Sequence, residues 1–221
     1  PFAVPEILEI DVGEAQLAAR TRLLAGRSLA QPVIPPALAD DLAAFLSALH
    51  TAPLASAPPT ITAVRRLDTT PTRAWARLRA RIARYLLHRG GDRLPDLLAD
   101  LPRRTIAALE RWLAAPPTDG PTSHAYVHGD LVTNFLVHDG RLSGVLDWGD
   151  STVGDPARDL GCLAALGGVA TLDRLLTINP ADRRRVEHYW RLELVDVVCD
   201  LADAGQPLAP WLPRLHEAFD A

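Results

Sequence analysis

From Ala37 to His50, the residues Leu38, Leu42, Phe45, Leu46 and Leu49 recur at steps of three and four, which predicts an amphipathic helix with one apolar stripe. The same period predicts a helix over Arg73–Arg89, with Trp75, Leu78, Ile82, Tyr85 and Leu86 turned inward and Arg77, Arg81 and Arg84 on a solvated face. It recurs over Pro102–Leu113, where Pro suits a first turn, over Ala157–Leu166 and Leu172–Leu176, and over the longer stretch Ala181–Ala204. In that last stretch Val186, Tyr189, Trp190, Leu194, Val197, Val198 and Leu201 face a core. Short apolar runs read as strands instead: Pro5–Ile10 and Ala15–Leu24 about a turn at Asp11-Val12-Gly13, and Phe135–Val137 and Leu142–Leu146 about His138-Asp139-Gly140. Gln31–Pro36, Thr51–Thr60 and Ala115–Pro121, rich in Pro and Ala, read as loops. The pattern is that of a mostly helical α+β chain with one small hairpin.

Composition narrows the function. With 221 residues, the chain is long enough for one large domain or a domain and a fragment, and a hydrophobic content of 48% supports a buried core. No apolar run is read as reaching transmembrane length and no basic-plus-apolar leader opens the sequence, so a cytoplasmic protein without a membrane partner is expected. The net charge of −4 argues against a general nucleic-acid binder. Cys162 and Cys199 lie in apolar surroundings and are expected to be buried thiols. The chain has no Lys, so all 23 basic residues are Arg, and it has no Met.

The chemistry concentrates in one stretch. Tyr126-Val127 leads into His128-Gly129-Asp130; Asn134 follows, then the hairpin, then Asp147-Trp148-Gly149 at the end of its second strand. Two strands joined by a Gly-containing turn hold Asp130, Asn134 and Asp147 close together. A carboxylate to orient a hydroxyl, with an amide oxygen and a second carboxylate as hard ligands for magnesium, are the parts needed to move a phosphoryl group. His124, His128, Asp130 and His138 carry metal-ligating groups, but a metallohydrolase would leave Asp147-Trp148-Gly149 unexplained, and no Gly-x-Ser-x-Gly elbow marks a serine hydrolase.

With Gly154-Asp155-Pro156-Ala157-Arg158-Asp159-Leu160 as the third motif in order, Val127–Leu160 resembles the aminoglycoside phosphotransferase family, a branch of the protein-kinase-like fold. The resemblance implies an ATP- or GTP-dependent phosphotransferase that moves the γ-phosphate to a hydroxyl of a small molecule. It assigns Asp130 as catalytic base, Asn134 and Asp147 as Mg2+ ligands, and His128 and Asp159 as structural support. The stretch Leu23–Leu29 resembles the linker between lobes, with the backbone of Leu23 and Leu24 facing the purine. Residues 1–24 would be a remnant of the N-terminal lobe and 25–221 the helical C-terminal lobe. The Gly-rich strand pair, the Lys strand and the Glu helix of the other lobe are not found in this sequence, and Pro1 in place of an initiator Met is read as a sign that residues precede it. A catalytically inactive kinase-like binding protein is the alternative.

Acceptor contacts are expected from carboxylates: Asp150 beside the metal turn, and Glu187 first among Glu187, Glu193, Asp196 and Asp200 on the late helix. One departure from the family pattern stands out. The family places five steps between the Asp and the Asn, whereas Asp130 to Asn134 is four. A true deletion would draw Asn134 out of register with the metal. A chain this long would ordinarily hold about four or five Met, and one more residue within Leu131-Val132-Thr133 would restore the spacing.

Overall fold

The structure, a computed structural model, describes residues 3, 5–12, 17–29, 32–54, 76, 79–80, 100–115 and 123–220. Most of the expected helix Arg73–Arg89, and most of the loops expected at Thr51–Thr60 and Ala115–Pro121, lie outside the described residues. Two strands open the fold, β1 (Ile7–Val12) and β2 (Leu17–Thr21), paired antiparallel. Both are displaced from the expected bounds: β1 runs on through Asp11 and Val12, where a turn was expected.

A strap of extended chain, residues 22–29, leads from β2 to the helical part. Arg27 exchanges two backbone hydrogen bonds with Val137 (2.9 and 2.8 Å), and Ser143 Oγ donates to the Ala25 carbonyl at 2.6 Å. Gly26 makes this contact possible. Its φ is +126°, and a Cβ there would lie 2.5 Å from Ser143 Oγ and 3.0 Å from the Val137 carbonyl.

Helix α1 (Pro36–Thr51) starts with Pro at its first turn and buries Leu38, Leu42, Phe45 and Leu46, each contributing roughly 1.5–3 kcal/mol of apolar burial. Asp41 takes a bidentate contact from Arg141, and Asp40 pairs with Arg174, so the outer face of α1 is tied to its neighbours by ion pairs. Helix α2 (Arg103–Ala114) follows. Strand β3 (Ala125–Val127) pairs antiparallel with β6 (Thr152–Gly154), and between them lies the expected hairpin, β4 (Phe135–His138) with β5 (Arg141–Val145). Its two-residue turn, Asp139-Gly140, has φ of +50° and +74°, the mirror-image turn that matches strand twist and that Asp-Gly favours.

Helix α3 (Ala157–Ile178) joins the two helices expected at 157–166 and 172–176 across a kink at Gly168 (φ +73°, ψ −166°). At the kink Val169 N donates to Glu217 Oε1 at 2.9 Å, replacing a helical partner. By length and composition α3 would also span a membrane, contrary to the expectation for this sequence. Its apolar surface is packed instead against α1, α4 (Arg183–Asp203) and α5 (Leu212–Asp220). Tyr189 and Trp190 are buried core residues of α4, as the period predicts. Helix α5 has no counterpart in the sequence reading. Cys162 and Cys199 are both buried, and neither forms a disulfide.

Candidate functional site

The carboxylate of Asp159, fully buried near the start of α3, fixes the loop that follows β3. One oxygen accepts the Gly129 N–H at 2.8 Å; the other accepts the His128 N–H at 2.9 Å and lies 3.0 Å from His50 Nε2 at the end of α1. His128, also fully buried, donates from Nε2 to the Leu146 carbonyl at 2.8 Å, while Nδ1 accepts the Asp130 N–H at 3.4 Å. Both ring nitrogens are engaged, so neither is available to carry a proton to a substrate. Trp148 lies on the same ring, with centroids 4.8 Å apart. Asp155 starts α3 by accepting the Ala157 N–H at 3.0 Å, and its other oxygen meets the buried Arg185 at 3.4 Å.

Gly129 is the point where the loop meets the metal turn. Its φ is +85°, and a Cβ would stand 2.8 Å from the Asp150 carbonyl on one side and 3.6 Å from Arg158 Nη1 on the other. The next residue, Asp130, is half-buried. Burial, and then the charge of Asp150, push its carboxyl above the ordinary value; His128 and Arg158 pull the other way and Asp147 adds to the rise. A carboxylate raised in this way is a better proton acceptor than a free one.

Asn134 reaches back across the four-residue spacing. Its Nδ2 donates to the Asp130 carbonyl at 2.9 Å and to Asp130 Oδ2 at 3.0 Å. The short loop therefore does not separate the two side chains, and the amide oxygen is left available for a hard cation. Asp147 is exposed at the end of β5, in the left-handed region (φ +49°, ψ +68°), with Oδ1 accepting the Gly149 N–H at 3.3 Å. Asn and Asp tolerate this conformation better than other side chains. Among the described residues no group of three or more His, Cys, Asp and Glu gathers into a closed metal cage. An amide oxygen and a carboxylate are hard donors of the kind magnesium accepts alongside water and phosphate oxygens.

The structure brings Asp130, Asn134, Asp147 and Asp150 to one place and does not bring Glu187 there. Glu187 pairs with Arg183 one turn back at 3.6 Å. The acid of α4 that reaches the site is Glu193, six residues on; six residues rotate the helix by 600°, so the two side chains diverge by about 120°. Glu193 sits 3.6 Å from Arg158 and interacts electrostatically with Asp196 and Asp130. Burial pushes its carboxyl up to about 7. Sequence reasoning named Glu193 among several acids but gave no reason to prefer it, and it missed His50 and Arg158, whose partners lie on other elements.

On the strap, the Leu23 side chain is 94% exposed and Leu24 packs on Gly144. Ala25 and Arg27 are tied to the hairpin, while the backbone groups of Leu23 and Leu24 make no hydrogen bond among the described residues.

Comparisons with known proteins bear on the family and the fold. Viomycin phosphotransferase of Streptomyces vinaceus is 40% identical over 75 residues, which is 32% of this chain and 26% of that protein. The match thus spans about a quarter of that relative's length. Solved structures share the fold over nearly the whole chain. A macrolide 2'-phosphotransferase from Brachybacterium faecium, an apoenzyme, has a TM-score of 0.55 at 21% identity, covering 99% of this chain and 74% of that one. The GDP complex of wild-type aminoglycoside 2'-phosphotransferase-IIIa has a TM-score of 0.64 at 18% identity, covering 100% and 75%. The streptomycin–ATP ternary complex of APH(2'')-IIa has a TM-score of 0.54 at 18% identity, covering 99% and 75%. The model of the APH family, described as the phosphotransferase enzyme family, matches residues 1–193, and the chain belongs to that family.

Proposed function

We propose that this chain transfers the γ-phosphoryl group of a nucleoside triphosphate to a hydroxyl of a small, cationic acceptor, as an aminoglycoside-type phosphotransferase. The observation that carries the reading is the juxtaposition of Asp130 and Asn134, 3.0 Å apart, on a loop whose backbone is pinned by the buried Asp159. Asp130 orients the acceptor hydroxyl and takes its proton as the oxygen attacks phosphorus. The amide oxygen of Asn134 and the carboxylate of Asp147 would hold magnesium, which would neutralise charge on the triphosphate. The backbone of Leu23 and Leu24, unpaired among the described residues, faces the purine, and pairing through backbone suits either ATP or GTP. Most of the rate gain comes from positioning, since His128 and Asp159 hold the loop in place before substrate arrives.

The acceptor is read as cationic because carboxylates lie near Asp130: Asp150 and Asp147 from the metal turn, and Glu193 from α4. Streptomycin and kanamycin in the neighbours' complexes, and viomycin in the relative's name, are of that kind. A nucleoside triphosphate donor keeps the cytoplasmic assignment.

The experiment is a coupled nucleotide-turnover screen of the full-length protein with Mg2+, ATP or GTP, and a panel of aminoglycosides, macrolides and viomycin. Acceptor-dependent turnover, abolished in Asp130→Ala while the fold is retained, is expected. Nucleotide binding without turnover on any acceptor, or full activity in Asp130→Ala, overturns the reading in favour of a kinase-like binder.

A further inference from the structure

We propose that Glu193 is a positioning residue that couples helix α4, through Arg158, to the loop carrying Asp130. The Arg158 guanidinium lies 3.6 Å from Glu193 Oε1 and, at its far end, 3.6 Å from where a Cβ of Gly129 would be. Both side chains of the pair are less than one-fifth exposed, so the interaction is shielded from solvent and from salt. The charge of Arg158 acts on Asp130 as well as on Glu193. Cys162, fully buried one turn along α3, interacts electrostatically with Glu193 as well.

One carboxylate on α4 thus reaches the loop beside Asp130. Asp196 and Asp200 follow Glu193 about one and two turns along the same helix, so an acceptor gripping those acids pulls on the element that sets the loop. The groups facing Glu193 are Arg158 and Cys162 from α3, Asp196 from α4 and Asp130 from the loop. Burial holds the Glu193 carboxyl up at about 7, and its protonation weakens the grip on Arg158 and loosens the link. The inference rests on the reading of Asp130 as the base only for its consequence in turnover; the coupling itself is a property of the folded chain.

The test is hydrogen exchange by mass spectrometry on the full-length protein, with kinetics alongside. In Glu193→Gln, amides of the peptide spanning residues 127–134 exchange about tenfold faster, while those of α1 are unchanged. Arg158→Gln gives the same loop-selective acceleration, and the double variant is no worse than the worse single. The kcat falls about tenfold with the nucleotide KM held, and the acid limb of the kcat profile near neutrality disappears. If Glu193→Gln does not fold, Arg158→Lys, which keeps charge but shortens the reach, must still accelerate the loop amides. Unchanged loop exchange, or effects of the two variants that simply add, overturns the coupling. Faster loop exchange in a protein that transfers no phosphoryl group upholds the coupling and defeats the reading of Asp130.

Discussion

The floor and the rim of the site follow opposite rules. On the floor, Asp159 and His128 are fully buried, and their hydrogen-bonding atoms are matched with backbone N–H groups, a carbonyl and His50. On the rim, Asp147 and Asp150 are exposed, and Asp147 sits in a left-handed conformation with one weak internal partner. The floor uses its polar capacity on the protein itself and so fixes geometry. The rim keeps capacity in reserve for a ligand, at some cost in backbone strain.

The largest effect expected from this contrast is on the floor. Asp159→Ala strands two buried N–H groups and leaves His50 without its carboxylate, so denaturant unfolding should show a loss of about 3 kcal/mol or more, with activity lost as the loop relaxes. On the rim, Asp147→Asn keeps the acceptor for Gly149 and tolerates the left-handed backbone. Stability should change by less than about 0.5 kcal/mol, while titration calorimetry should show Mg-nucleotide affinity down by on the order of 10–100-fold or more.

The glycines sharpen the same distinction on a smaller scale. Gly129→Ala and Gly140→Ala both place a methyl at positive φ, costing about 1–2 kcal/mol each. Only at Gly129 does the methyl collide, 2.8 Å from the Asp150 carbonyl; nothing lies within 4 Å at Gly140. Thermal melts should rank Gly129→Ala as the less stable of the two, and only that variant should lose turnover.

The pH dependence of stability separates the site from the back of the molecule. Behind α4, His188 packs on Trp112, accepting its indole N–H at 3.2 Å, and its Nε2 is buried without a partner among the described residues. Burial first, then Arg191, pulls its pKa down to about 4, so it favours the folded state at pH above the ordinary His value and that contribution is lost as pH falls toward 4. Glu193 has the opposite sign. Its raised carboxyl favours the fold at low pH, and that contribution is lost as pH rises from the ordinary Glu value through about 7. Melting temperatures of Glu193→Gln between pH 4.5 and 8 should therefore lose the falling component, and those of His188→Phe the rising one below pH 6.5.

What the sequence made legible is what is local. The Asp139-Gly140 turn between two apolar runs identified the hairpin, and the three- and four-residue recurrence found α1, α2, both arms of α3, and α4. The bracing of His128 by Asp159 spans 31 residues and that of Asp159 by His50 spans 109; neither leaves a periodic trace. Charges on an amphipathic helix look alike in sequence, which is why Glu187 was preferred although rotation carries it away from the loop and gives Glu193 the contact. The pairing of β3 with β6 was missed because each strand has three residues, too few to show an alternation.

The central claim is tested most directly by following label from the γ-position of Mg-ATP or Mg-GTP into an aminoglycoside, a macrolide or viomycin, with wild type and Asp130→Asn side by side. A labelled phosphate ester from wild type, at least ~100-fold less from Asp130→Asn, and equal nucleotide affinity for both are expected. Equal labelling by the two proteins would contradict the account.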